Sequence, residues 1–397
     1  MTDERTQGGA RRSRRGDPVY LDHHATTPLD ERVLEAMLPW LREEFGNAAS
    51  RTHVYGWRAE AAVGGARERL ADLLGARDPS EIVFTSGATE SNNLALLGLA
   101  EANPRRRHLV TIATEHPSVL DPCRALVRRG AAVDFLDVDG EGFVSPEAVA
   151  KALREDTLVA SVMAANNEIG VLQPIREIAG HCRERGVVFH CDAAQAVGKV
   201  PLAAAADGID LLSVSGHKLY GPKGVGLLVV RKHGRPRLRL EPRQYGGGHE
   251  GGLRSGTLPV AAIVGLARAV ELCAAERASE AERQGGLRDR LLAELEAALP
   301  GRVLLNGPRR ARLPGNLNVS ITGVDGDRLV ADLEGIAVSS GSACSSAIPE
   351  PSPVLLALGR APALAKASLR FGLGRGTTQD HVTRAVASVA AAVARQA

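Results

Sequence analysis

Ile209-Asp210-Leu211-Leu212-Ser213-Val214-Ser215-Gly216-His217-Lys218-Leu219-Tyr220-Gly221-Pro222-Lys223-Gly224-Val225 is the stretch from which the fold can be read. Its apolar first third has the composition of a buried strand, and it ends in small residues and a lysine within a glycine-bounded loop. The next apolar run, 226–231, follows too closely for a crossover helix and is expected to run antiparallel. Upstream, apolar runs at 81–85, 108–113, 132–137, 158–164 and 187–191 alternate with segments that read as helices. Strands alternating with helices at intervals of roughly 20–30 residues predict an α/β fold with a mostly parallel, doubly wound sheet.

Downstream the pattern changes. Residues 261–299 are rich in Ala, Glu, Arg and Leu with few breakers, and read as one long helix bridging two domains. Beyond it the sequence predicts a strand at 316–321, a helix at 325–334, short strands at 336–338 and 367–371, and a last helix from about Thr378. The expected organisation is a disordered tail over 1–16, a large domain over 29–273, and a smaller α/β domain from 17–28 and 274–397. Residues 339–353 are too rich in Ser, Gly and Pro for regular structure and read as a mobile loop.

The 397 residues are 44% hydrophobic and 24% charged, values of an ordinary globular chain. With a net charge of +3 and 3% aromatics, nucleic acid is not expected as a ligand. No apolar run approaches the ~18 residues of a membrane span. Arg11, Arg12, Arg14 and Arg15 stand in a polar start that also holds Asp3 and Glu4, which fits a tail better than a transit peptide. The five cysteines form no C-x-x-C pair, so neither zinc nor a disulfide framework is indicated and a cytoplasmic location is expected.

Four strand-end features carry the chemistry. Thr85-Ser86-Gly87-Ala88-Thr89-Glu90 opens a helix and reads as either an anion site or an ordinary N-cap. His116 follows another strand, as a hydrogen-bonded loop residue or a flat ring that stacks on a ligand. Asp192, among alanines at a strand end, is a poorly solvated carboxylate needing a cationic partner, or a helix cap. Lys218 completes the series; a lysine of ordinary pKa near 10.4 is only about 0.04% neutral at pH 7, so amine chemistry needs a special site. Phosphate loop, stacking ring, acid for a pyridine nitrogen and lysine for an aldehyde are the requirements of pyridoxal phosphate.

The ordered motifs extend this. Tyr20-Leu21-Asp22, Ala25-Thr26-Thr27-Pro28, Asn166-Asn167-Glu168-Ile169-Gly170, Asp192-Ala193-Ala194-Gln195, Ser215-Gly216-His217-Lys218, Gly246-Gly247-Gly248-His249-Glu250, Arg254-Ser255-Gly256-Thr257, Ser339-Ser340-Gly341-Ser342-Ala343-Cys344 and Leu369-Arg370-Phe371 span nearly the whole chain. With them the chain resembles pyridoxal-phosphate enzymes of the class V aminotransferase fold, and among these the cysteine desulfurases. The resemblance implies the type I fold of such enzymes, with a seven-stranded sheet. It implies that Ala88, Thr89, Ser215 and His217 bind the phosphate, that Lys218 bears the cofactor, and that His116 stacks on the ring and shuttles protons. By the same resemblance Asn167 and Gln195 contact ring substituents and Asp192 the ring nitrogen. Thr257 would reach the phosphate of a neighbouring subunit in a homodimer, and Arg370, with Asn47 as a second contact, would bind the substrate carboxylate.

Cys344 decides the reaction the resemblance implies: sulfur leaves L-cysteine as a persulfide on Cys344, L-alanine is released, and an acceptor protein of iron–sulfur assembly or tRNA thiolation takes the sulfur. Cys123, Cys182, Cys191 and Cys273 sit in regular patterns and read as filler. A selenocysteine lyase, another class V transaminase and a non-catalytic assembly scaffold are the alternatives. A transaminase needs an oxo-acid and no Cys344; a scaffold has no need of Lys218. The chain departs from the commoner family form at His23-His24, where Asn-Ala is usual, and at Asn47-Ala48-Ala49-Ser50, where Asn-Pro-Ser-Ser is usual.

Overall fold

The computed structural model describes residues 17–234, 237–340 and 350–396, so the expected tail and Cys344 lie outside the described residues. After the short β1 (Val19–Tyr20), the central sheet comprises β2 (Ile82–Thr85), β3 (His108–Ile112), β4 (Ala132–Leu136), β5 (Thr157–Ser161), β6 (Val188–Asp192), β7 (Leu211–Ser215) and β8 (Gly226–Val230). Their spatial order is β2-β8-β7-β6-β5-β3-β4. Neighbours from β7 through β4 pair parallel, while β8 runs antiparallel to both β7 and β2, as its short connection demands.

Alternation along these apolar strands feeds two cores. Phe84, Val110, Phe189, Leu212 and Leu227 pack on one face with Ile263 and Leu266. Their sequence neighbours Val83, Leu109, Val188, Leu211 and Leu228 pack on the other with Leu94, Leu96 and Val119. The crossover helix Ile175–Glu184 shows the complementary helical period, burying Ile175, Ile178, Ala179 and Cys182. One expected helix is absent: 193–208, between β6 and β7, is a run of turns. Gly198 and Gly208 take φ of +72° and +75° there, and Pro201 lies between them, so an apolar composition could not propagate a helix.

The helix Val260–Ala298 is a single 39-residue element. Its first half, including Ile263, Leu266 and Val270, belongs to the first core. Leu287, Leu291, Leu292 and Leu295 belong to another, built with Val19, Leu21, Val319 and Phe371. That second core lies on β9 (Val303–Leu305), β10 (Asn316–Ile321), β12 (Ser339–Ser340) and β13 (Ser368–Gly372), an antiparallel sheet ordered β12-β13-β10-β9. β11 (Ile336–Ala337) pairs instead with β1. The expectation of an irregular 339–353 is corrected at both ends. Ser339 and Ser340 join the ladder opposite Arg370 and Leu369, and Pro353 opens a helix capped by Ser352. Among the described residues no helix is long and apolar enough to cross a membrane.

The two sheets meet at the 166–170 turn. Asn166 Oδ1 accepts from the N–H groups of Glu168 (2.8 Å) and Ile169 (3.0 Å), closing the turn from inside. The second sheet grips it from outside: Asn316 and Asn318 amides donate to the Glu168 carbonyl at 3.1 and 3.2 Å. Gly170, at φ +76°, could hold no side chain, since a Cβ would lie 2.4 Å from Asn316 Oδ1. The Glu168 carboxyl accepts from Ser352 Oγ at 2.5 Å. Burial pushes it up to about 7, against the opposing influence of Ser352 and Arg370.

Two outcomes are expected. Phe371, fully buried in the second core, should lose about 3–5 kcal/mol of stability as Phe371→Ala, read from urea unfolding. Glu168 has a folded pKa above its unfolded value, so its contribution is complete at low pH and is lost as pH rises through about 7. Glu168→Gln should therefore gain about 2 kcal/mol relative to the parent between pH 5 and pH 8, and an equal difference at both pH values would contradict this.

Candidate active site

A cavity of about 510 Å³ opens at the C-terminal ends of β5, β6 and β7. This is where ligands collect on a wound sheet, and the size is ordinary for a small-molecule site. Asp192, the last residue of β6, lines it and is buried. The partners of its carboxylate are neutral amides: Asn92 Nδ2 at 2.7 Å and the Ala194 N–H at 3.0 Å. Turns rather than a helix follow, so the helix-cap alternative falls away. Among the described residues no cationic side chain forms an ion pair with it. Glu115 lies close by, its Oε1 accepting from the Met163 N–H at 2.6 Å. Burial first, and the Asp192 charge second, push Glu115 well above the carboxylate range, so it is the protonated acid of the two.

Asn92 also donates to Ser118 Oγ at 2.8 Å, and that hydroxyl meets His116 Nδ1 at 2.8 Å. The Ser118 N–H donates to the same nitrogen at 3.1 Å, so Nδ1 is an acceptor and the neutral ring carries its proton on Nε2. Burial holds His116 below its ordinary value, although Asp192 pulls the other way. The imidazole lines the cavity. Hydrogen bonds thus run unbroken from Asp192 through Asn92 and Ser118 to His116.

At the other end lie Ser86, Gly87, Ala88, Thr89, Ser215 and His217. Glu90 reaches back to the Ser86 N–H at 2.7 Å and is itself clamped by Arg254 at 2.9 Å. Gly226 must be glycine because a Cβ would stand 2.6 Å from the Gly87 backbone. His217 Nδ1 lies 3.1 Å from Thr26 Oγ1. Burial, then Lys218 and Lys223, pull it down to about 4, so it is a neutral donor or acceptor. Lys223 lines this end too.

Lys218 ends the short 3₁₀ turn Gly216–Lys218 that caps β7. Its Nζ donates to the carbonyls of His24 (2.6 Å) and Ala25 (2.7 Å), and the side chain lines the cavity. Arg370 enters from β13 and is 1% exposed. It donates to Asp22 Oδ1 (2.8 Å), Ser339 Oγ (3.1 Å) and the Asn167 carbonyl (3.1 Å), and its Nε is buried without a partner.

Twelve expected site residues can therefore be compared with the lining: Lys218, His116, Ala88, Thr89, Asn167, Asp192, Gln195, Ser215, His217 and Arg370 all face the cavity, whereas Asn47 and Thr257 do not. Asn47 is exposed, and its Oδ1 accepts from the Ala49 N–H at 2.9 Å, so the local turn occupies it. Thr257 is likewise exposed and outside the lining. Gln195 faces the cavity, but both ends of its amide already engage protein groups, His24 and Lys199. Glu115 and His24 stood in stretches the sequence marked but were not expected as site residues, and neither were Asn92 and Ser118. Asn92 lies a helical turn beyond the phosphate-loop motif, and Ser118 two residues beyond His116, which is the signal that marks them. Among the described residues no cluster of His, Cys, Asp or Glu is arranged to hold a metal ion. The four described cysteines are buried, as filler should be.

The family model for aminotransferase class-V matches residues 19–385. A cysteine desulfurase IscS of Anaeromyxobacter sp. (strain Fw109-5) is 54% identical over 373 residues, covering 93% of this chain and 91% of its own. A solved NifS-like protein superposes with a TM-score of 0.88 at 36% identity, covering 95% of this chain and 100% of that one. The solved SspA in complex with cysteine gives a TM-score of 0.79 at 37% identity, over 89% of this chain and 98% of that one. Agreement of this extent, in sequence and in backbone, places the chain in the aminotransferase class-V family, among its pyridoxal-phosphate-dependent cysteine desulfurases.

Proposed function

We propose that this protein removes sulfur from L-cysteine with pyridoxal phosphate bound in the cavity, releasing L-alanine and leaving a persulfide on Cys344. The observation that carries this reading is Asp192, a buried carboxylate in a ligand-sized cavity whose protein partners are neutral. A protonated pyridine nitrogen supplies the missing positive charge, so the residues present fit the cofactor. When bound, pyridoxal phosphate supplies an electron sink that weakens bonds at the substrate α-carbon.

The chain's own groups do the rest. Asn92 and the Ala194 N–H aim the Asp192 carboxylate and keep its charge at the ring-nitrogen end. Ala88, Thr89, Ser215 and His217 would hold the phosphate, and Asn167 would contact a ring substituent. Lys218 Nζ is the attachment point and afterwards the carrier of the α-proton. His116 would face the cofactor's ring from the cavity wall and exchange a proton at Nε2, the nitrogen not tied to Ser118. Arg370 orients the substrate carboxylate, a bidentate task for which Asp22 already holds the guanidinium in place. The Cys344 thiolate takes the sulfur: a sulfur–sulfur bond forms as the carbon–sulfur bond of L-cysteine breaks, the electron pair of the broken bond stays on the β-carbon, and one proton, equal in number to that given up by the Cys344 thiol, completes the methyl group of alanine.

Thr257, exposed and outside its own cavity, is assigned to the phosphate of a second subunit in a homodimer. A sulfur-acceptor protein, an iron–sulfur scaffold or a tRNA-thiolation protein, receives the persulfide sulfur in the cytoplasm.

Incubation with L-cysteine should yield alanine and add the mass of one sulfur atom to the Cys344 peptide. Cys344→Ala should keep the cofactor absorbance and form no persulfide; undiminished sulfur release by that variant would overturn the reading. His116→Asn should lower kcat by roughly 10²–10⁴-fold. Because His116 is held below 6.5, the acid limb of the parent's kcat profile should lie below that pH and vanish in the variant.

A further inference from the structure

A second cavity, about 40 Å³, shares Lys218 and His24 with the first and is also lined by Lys199. Lys199 Nζ donates to Gln195 Oε1 at 2.9 Å. Gln195 Nε2 donates at 2.9 Å to the His24 carbonyl, the same oxygen that accepts from Lys218 Nζ at 2.6 Å. A hydrogen-bonded path therefore joins the two lysines through one amide and one carbonyl. The amide orientation is fixed, since an ammonium can only donate and a carbonyl can only accept. His24 Nδ1, 3.1 Å from Gln195 Oε1, must then carry the ring proton, which leaves a buried Nε2 without a partner. Burial holds His24 well below its ordinary value, so it adds no positive charge.

Lys199 forms no ion pair among the described residues. Glu276 and Glu280 line the same cavity but are bound to Arg375 and Arg32, and to Arg283. A buried lysine with no carboxylate of its own is costly as structure alone, which points to a role in the chemistry beside it.

We propose that Lys199 is a positioning residue for Lys218: held by Gln195 against the carbonyl that Lys218 also binds, its charge disfavours a second positive charge at Lys218 and keeps that nitrogen reactive. This rests on the reading of Lys218 as the cofactor-bearing lysine. The remaining groups facing Lys199 fit. His23 is pulled down to about 4 by burial, while Cys273 and Tyr220 are pushed up, so none of the three is charged at neutral pH. Arg370 acts on Lys199 from the first cavity, and Arg277 and Arg375 line the second. Burial, and then the Lys218 charge, pull Lys199 itself down to about 7, so its influence fades as pH rises past neutrality.

The test is the pH at which the bound cofactor's absorbance changes, measured on the pyridoxal-phosphate-loaded parent, Lys199→Met, Lys199→Gln and Lys199→Arg. Both neutral variants should raise that midpoint by about 1 pH unit, a tenfold change in proton affinity, whereas Lys199→Arg should keep it within a few tenths. Two neutral variants guard against one that fails to fold. An unchanged midpoint in the neutral variants, or an equal rise in Lys199→Arg, would overturn the proposal. Should borohydride fail to fix the cofactor at Lys218 in the parent, the functional reading itself is wrong and this proposal falls with it.

Discussion

A carboxylate taken out of water must find positive charge or accept a proton, and Asp192 faces that demand at the end of an apolar strand, with only neutral protein partners. Its neighbour Glu115 takes the second course, being neutral, and so does not compete for the charge that Asp192 requires. What remains is one buried carboxyl group, oriented by two N–H donors, in the lining of a ligand-sized cavity. The other groups are arranged around it by the sheet. Parallel pairing sets Asp192 opposite Ser213, so the turn that follows β7 delivers Lys218 to the same cavity. The Asn92–Ser118–His116 line ties the acid to the histidine that lines the same cavity.

The second constraint is the seam between the sheets. Arg370 belongs to the smaller sheet, yet its guanidinium lines a cavity floored by the larger one. A buried arginine is tolerable only when its donors are met, and Asp22, Ser339 and the Asn167 carbonyl meet most of them. The Asn167 contact is also structural, because the 166–170 turn is held from both sides by asparagines. The lining of the cavity and the seam between the sheets therefore depend on overlapping hydrogen bonds.

Much of this was legible in the chain, and the exceptions have physical causes. Buried strands announce themselves because both faces must be apolar, which is why β2, β3 and β5 to β8, buried throughout, are found within three residues of the expected runs, as is the partly exposed β4. The direction of β8 followed from a connection too short for a crossover. The missing helix at 193–208 was misjudged because alanine content speaks for helix while two glycines at positive φ and a proline decide against it locally. Ser339 and Ser340 lack any strand propensity; they are held by ladder partners contributed from β13, a non-local cause. Asn47, expected from its motif, lies outside the lining of the cavity, and its Oδ1 accepts from the Ala49 N–H in its own turn.

The sequence alone determined the α/β class, the order of the strand-end residues, and the types of group available for chemistry, because those depend on local apolar pattern and side-chain identity. Only the tertiary structure decided which neighbours each group has. Asp192 pairs with neutral amides, Arg370 with Asp22, and Lys199 reaches Lys218 through Gln195 and the His24 carbonyl, since these contacts join residues far apart in the chain. Charge, burial and proton position are properties of such surroundings, and no linear reading contains them.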